Sequence, residues 1–174
     1  SAASDVYKRQ ILRWIGPFFT LEELKEWEIE NINCKNNLYI LTGKEYRHRN
    51  VSDYVGITEQ DYVYKRLGNN HGKFNKIDRE LNIWVGNFSC SDHADHDNIS
   101  IVETLLISSW QPQLNEKKKA YYPGRSICVI NQWYKPNFNQ YSNRVYPAQY
   151  MQDVIIYNSE MGEVWGADRL KKLS

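Results

Sequence analysis

Apolar residues fall into three helical patterns with three short runs among them. Thr20-Leu21-Glu22-Glu23 has the form of a capping box, and Leu21, Leu24 and Trp27 follow at helical spacing. This predicts a short acidic helix at about 20–30. The runs Leu38-Tyr39-Ile40-Leu41, Tyr54-Val55-Gly56-Ile57 and Ile83-Trp84-Val85-Gly86-Asn87-Phe88 read as strands. The first two form a predicted antiparallel pair, joined by the polar, basic stretch 44–53. Thr58-Glu59 opens a helical stretch that turns Val63 and Leu67 toward a sheet and stops at Gly68-Asn69-Asn70. A third helix is predicted over 98–110, ended by Pro112. The order β-β-α-β-α leaves too little chain between strands for a doubly wound parallel fold, so the predicted class is α+β.

The helix at 98–110 carries a carboxylate where apolar residues belong. Ile99, Ile101, Val102, Leu105, Leu106, Ile107 and Trp110 form one broad arc at 100° per residue, and Glu103 projects inside it. It is also the only charged residue from Asn98 to Asn115. Such a group needs a metal ion, a cationic side chain or water to meet it. Two structural alternatives stand beside a functional one: a capping box Ser100-x-x-Glu103, or a buried Glu–Arg pair.

Composition narrows the field. The chain has 174 residues, with Lys+Arg 22 against Asp+Glu 21 and a net charge of +1, so bulk charge selects no polyanion. Charged residues at 25% and hydrophobic residues at 41% are ordinary globular usage, which excludes disorder and fibrous repeats. No apolar run approaches a membrane span. Three widely spaced cysteines, Cys34, Cys90 and Cys128, form no disulfide framework and point to a reducing, cytoplasmic setting. Residues 5–10 read like the translated end of a sequencing adapter, so 1–10 are set apart from fold reasoning on that expectation.

Taken in order, the residues resemble the GIY-YIG nuclease superfamily over about 36–118. The similarity rests on Tyr39-Ile40 after Leu38, Tyr54-Val55-Gly56, Lys65-Arg66-Leu67 on a helix, Glu103 on the next long helix, and Pro112-Gln113-Leu114-Asn115. Leu38 stands where the family has glycine, and Arg66 and His71 are shifted by small insertions. The resemblance implies a small three-stranded antiparallel sheet flanked by helices, here with an N-terminal helical extension at 11–35 and a C-terminal one at 119–174 packed on the core. It implies endonuclease activity on double-stranded or branched DNA, of the kind used in restriction, homing or repair. By the same resemblance Glu103 would hold a single Mg²⁺ or Mn²⁺, Arg66 would contact the scissile phosphate, and Asn115 would support the site. Tyr54 would be the general base with Tyr39 beside it, and His71 would complete the set. A neighbouring arginine or metal should favour the phenolate that such a base requires.

Two further features bear on partners. From 117 to 152 the chain has six Lys/Arg and no Asp or Glu, interleaved with eight aromatics. Lys117, Lys118, Lys119 and Arg125, with Lys65 and Lys73 near the helix arginine, are the expected phosphate contacts. The alternative is that the aromatics pack and the lysines are solvated. Cys90-x-x-His93-x-x-His96 could hold zinc, although a structural site needs four ligands. The expectation is therefore an enzyme acting on DNA, with no membrane partner and homodimerisation left open. A catalytically silent nucleic-acid-binding module on the same fold, or a small zinc-binding interaction domain, are the alternatives.

Overall fold

Among the described residues seven strands, not three, hydrogen-bond into one sheet. The structure is a computed structural model and describes residues 8–32, 35–88 and 96–167. The strands are β1 (Lys8–Phe18), β2 (Leu38–Glu45), β3 (Ser52–Ile57), β4 (Ile77–Phe88), β5 (Ile127–Tyr134), β6 (Val154–Asn158) and β7 (Glu163–Ala167). The helices are α1 (Leu21–Asn31), α2 (Val63–Gly68), α3 (Gly72–Lys76) and α4 (His96–Trp110), with a 3-10 turn at Pro147–Gln149. The sheet order is β3-β2-β4-β1-β5-β6-β7.

The expected small three-stranded sheet flanked by helices is thereby corrected. β3, β2 and β4 do pair antiparallel, but they form one end of a curled, mixed sheet. Two features carry it further. The 12-residue β4 is long enough to pair with β2 along one edge and β1 along the other. β1 then takes β5 in parallel, from Lys8 against Ile127 to Ile15 against Tyr134. Lys8, Arg9 and Gln10, set apart on sequence grounds, are part of this ladder, and the segment 11–35 holds most of β1 as well as α1. The segment 119–174 supplies β5, β6 and β7 to the same sheet.

The centre of the sheet is covered on both faces, so its strands read as unbroken apolar runs rather than alternations. In β2, Leu38 and Ile40 enter one core with α4, while Tyr39 and Leu41 enter a second with α1 and α2. Three tryptophans seal the β1–β5 junction. Trp14 stacks on Trp133 at 5.8 Å, Trp84 meets Trp133 edge-on at 5.3 Å, and Trp14 Nε1 donates to Asn131 at 2.9 Å. α1 begins as predicted, with Thr20 Oγ1 accepting from the Glu23 amide at 3.2 Å, and the Glu23 carboxylate accepts from the Phe19 amide at 3.0 Å. No helix among the described residues is long and apolar enough to cross a membrane.

Candidate functional site

The outer edge of the sheet is β3, and the cleft beside it is built from residues that a single strand pair aligns. Tyr39 of β2 lies directly across from Gly56 of β3. A Cβ at position 56 would sit 2.4 Å from the Tyr39 hydroxyl and ring, so only glycine lets that ring lie across the strand. Tyr39 is 1% exposed, and the Tyr54 ring stands 6.1 Å from it. His71 closes the group, edge-on to Tyr39 at 5.9 Å and to Tyr54 at 5.4 Å.

Hydrogen bonds give this trio a direction. His71 Nδ1 accepts from the Phe74 amide at 3.1 Å, capping α3, so the proton of the neutral ring lies on Nε2. Nε2 is 2.9 Å from the Tyr39 hydroxyl, which is the acceptor in that arrangement. Burial lowers the His71 pKa, with the Arg66 charge acting the same way, so the ring is neutral at pH 7. The Tyr39 and Tyr54 hydroxyls interact in turn, favouring the Tyr54 anion and disfavouring that of Tyr39. The run from His71 through Tyr39 to Tyr54 therefore delivers hydrogen-bond support to Tyr54.

Arg66 enters from α2, a helix of six residues that cannot hold itself together. Its cap residue, Tyr62, makes no side-chain cap. A carboxylate from another helix does the work instead. Glu28 of α1 is fully buried, and its oxygens accept from the Val63 amide at 2.9 Å and the Tyr64 amide at 2.7 Å. Burial drives the Glu28 pKa up to about 7 against the pull of those two bonds. Sequence reasoning missed this residue. The signal was present, since Glu28 follows Leu21 and Leu24 at helical spacing, the same kind of misplaced carboxylate as Glu103.

Glu103 comes from α4, which packs against β3. The residue is 8% exposed, and its Oε1 accepts from Lys118 Nζ at 2.5 Å. The capping-box alternative is thereby displaced. The helix starts before Ser100, whose carbonyl accepts from Thr104, so Glu103 is no capping-box residue, and the ion pair seen on its carboxylate is to a lysine. Asn115 acts as one more rung on β3: its Oδ1 accepts from the Val55 amide and its Nδ2 donates to the Val55 carbonyl, both at 2.9 Å. It supports the strand and does not enter the cleft lining.

Tyr39, Tyr54, Arg66 and Glu103 line one open cleft of about 410 Å³, together with Ile57, Thr58, Glu59 and Asp61. Burial raises the pKa of both tyrosines, and the Glu103 charge adds to the effect on Tyr54. Arg66 acts in the opposite, expected direction and is outweighed. The hydroxyls are protonated at neutral pH, so Arg66 favours the phenolate as expected but does not by itself supply it.

The other sequence candidates scatter. Lys65 is exposed on α2, with its ammonium 5.8 Å from the Tyr62 ring centre. Lys73 pairs with Glu116 at 2.8 Å, Arg125 donates to Asn98 at the start of α4, and Lys117 is exposed. Lys119 is half-buried, and its carbonyl accepts from Gln111. In the basic segment Trp133 packs in the core, whereas Tyr121 and Tyr122 are exposed. Cys90 and His93 lie outside the described residues, as does the side chain of His96.

Among the described residues no three His, Cys, Asp or Glu side chains gather as a metal cage. A site with few carboxylates suits a divalent ion that keeps most of its own waters. Mg²⁺ is commonly held by one or two carboxylates, with waters and substrate phosphate completing its shell. Glu103 is such a carboxylate, already seated against a cation.

Compared with family models, curated proteins and solved structures, the chain gives no match.

Proposed function

We propose that the cleft beside β3 hydrolyses phosphodiester bonds in DNA as a metal-dependent endonuclease. One observation carries the reading: Tyr39, Tyr54, Arg66 and Glu103, drawn from two strands and two helices, line a common cleft, with His71 against both tyrosines. Each residue type matches a need of the reaction. Arg66 offers a planar fork of donors to a phosphate. Glu103 would hold the divalent ion, which would polarise the phosphoryl oxygens and stabilise the leaving 3′ oxygen. Tyr54 in its phenolate form, its own proton already lost to solvent, orients the attacking water and takes its proton, while Tyr39, itself held by His71, donates to the Tyr54 oxygen. A divalent ion on Glu103 would place two positive charges near Tyr54 and favour its phenolate. The exposed Lys65 and Lys117 are the surface cations proposed to track the DNA backbone, with Lys73, Lys119 and Arg125 at the margins.

The test is cleavage of plasmid and branched DNA in Mg²⁺ or Mn²⁺. Wild type should nick, with a rate that climbs as pH rises above 7 because the reactive phenolate becomes more populated. Glu103→Gln should bind DNA and lose at least about 10²-fold in rate, a typical loss when one electrostatic contributor is removed. Tyr54→Phe should lose the alkaline climb. A second reading, a silent DNA-binding module, draws on the pairing of Lys118 with Glu103 and on the protonated tyrosines. Wild type that binds DNA yet leaves it intact in both metals would establish that reading and end the first.

A further inference from the structure

Lys118 is carried on a segment pinned to the cleft from several sides. Asn115 clasps Val55, the Leu114 amide donates to the Asp53 carbonyl at 2.9 Å, and Gln111 Nε2 bridges the Ser108 and Lys119 carbonyls. Gln111 and Lys118 both have left-handed backbone, with φ of 59° and 66°, which folds the segment back over the end of α4. The Lys118 backbone is fixed, but its side chain is 34% exposed against 10% for Glu103. The ammonium thus has a route to water on a flexible stem.

From this geometry we infer that Lys118 is a placeholder cation. It neutralises Glu103 in the free protein, yields the carboxylate when a divalent ion arrives, and turns its ammonium to a phosphate of the incoming strand. The inference rests on the proposed nuclease reading for its last step only. A carboxylate that is mostly buried beside an open cleft is better held with a positive charge against it, and Lys118 supplies that charge in the free protein. A single ammonium on a mobile stem meets that need and remains exchangeable. The exchange also couples the two ligands. Metal bound without DNA must displace Lys118 into water, whereas metal bound with DNA leaves Lys118 a phosphate to contact. Each ligand therefore favours the other.

The test uses the full chain and Mn²⁺ binding read by electron paramagnetic resonance, without DNA. Lys118→Met removes the competitor and keeps the stem, so Mn²⁺ should bind about tenfold tighter than to wild type, the scale of one charge-assisted hydrogen bond. Adding Glu103→Gln should abolish the gain. In Ca²⁺, Lys118→Met should bind DNA more weakly, with a salt dependence shallower by about one counterion. Lys118→Gln repeats both measurements should the Met variant not fold. Unchanged or weaker Mn²⁺ binding in the lysine variants, or an unchanged salt slope, overturns the inference. The two readings fail separately. Tighter Mn²⁺ binding in a protein that never cuts DNA keeps the placeholder and ends the nuclease. Glu103-dependent cleavage with no Mn²⁺ response to Lys118 does the reverse.

Discussion

Glu28 and Glu103 are both carboxylates set in the apolar face of a helix, and different kinds of partner satisfy them. Glu28 accepts from two backbone amides of α2, groups fixed by the helix they begin. Glu103 meets the end of a lysine side chain that reaches it from another segment. The first arrangement can change only if α2 unravels, so it is architecture. The second can change by a rotation of side-chain bonds, so it is suited to a site that binds and releases. Burial of a charged group says that it matters; the mobility of its partner says in which way.

The contrast can be broken or sharpened by measurement. Glu28→Ala strands two amide donors, one buried and one part-buried, each worth up to about 1–3 kcal/mol, so the variant should lose about 2–5 kcal/mol in urea denaturation at pH 5. Loss of that size would come with a detached α2 and a displaced Arg66. A smaller effect follows from pH. The Glu28 pKa rises from 4.5 to about 7 on folding, so the folded state binds the proton more tightly. The corresponding stability is present below pH 4.5 and is lost as pH climbs through 7, up to about 3 kcal/mol. Glu28→Gln should flatten that slope, and a slope unchanged in the variant would assign it to another group.

On the Glu103 side the expected stability effects are smaller. Asn115→Ala removes both bonds to Val55 and should cost about 2 kcal/mol, with β3 amides exchanging faster than those of β4. Lys118→Met should change stability by no more than about 1 kcal/mol, because a pair with one partner open to water contributes little. A large loss there would place Lys118 with Glu28 as a structural residue and erase the difference between the two sites.

Much of the cleft could be read from the sequence because its members stand out locally. Glu103 is conspicuous as the only charged residue from Asn98 to the end of its helix, and Gly56 and Tyr54 sit in one short strand. Glu28 was concealed because its helix is acidic throughout, with Glu22, Glu23, Glu26 and Glu30 on its other faces. Lys118 was read as one of three surface lysines, and sequence spacing carries no sign of which of them folds inward. The antiparallel strands β2, β3 and β4 were legible from their apolar runs. β1 was partly set aside with the first ten residues, and its parallel partner is more than a hundred residues away, a relation local pattern does not encode. β5 did show a signal, as alternate residues Ile127, Val129, Asn131 and Trp133 are buried. Its basic, aromatic surroundings fit a binding surface as well as a packed strand, and the burial of Trp133 favours packing there.

The parallel ladder of β1 and β5 also sets the order in which the molecule can be completed. The strand nearest the start of the chain lies mid-sheet, and one of its two neighbours is made only after α4 and a long connection. Joining such distant segments requires closing a large loop before any contact rewards it, which places folding in the slow, millisecond-to-second regime. Until β5 arrives β1 offers a bare edge, and Arg9 and Arg13 on that strand supply the charge that discourages pairing with a neighbouring chain.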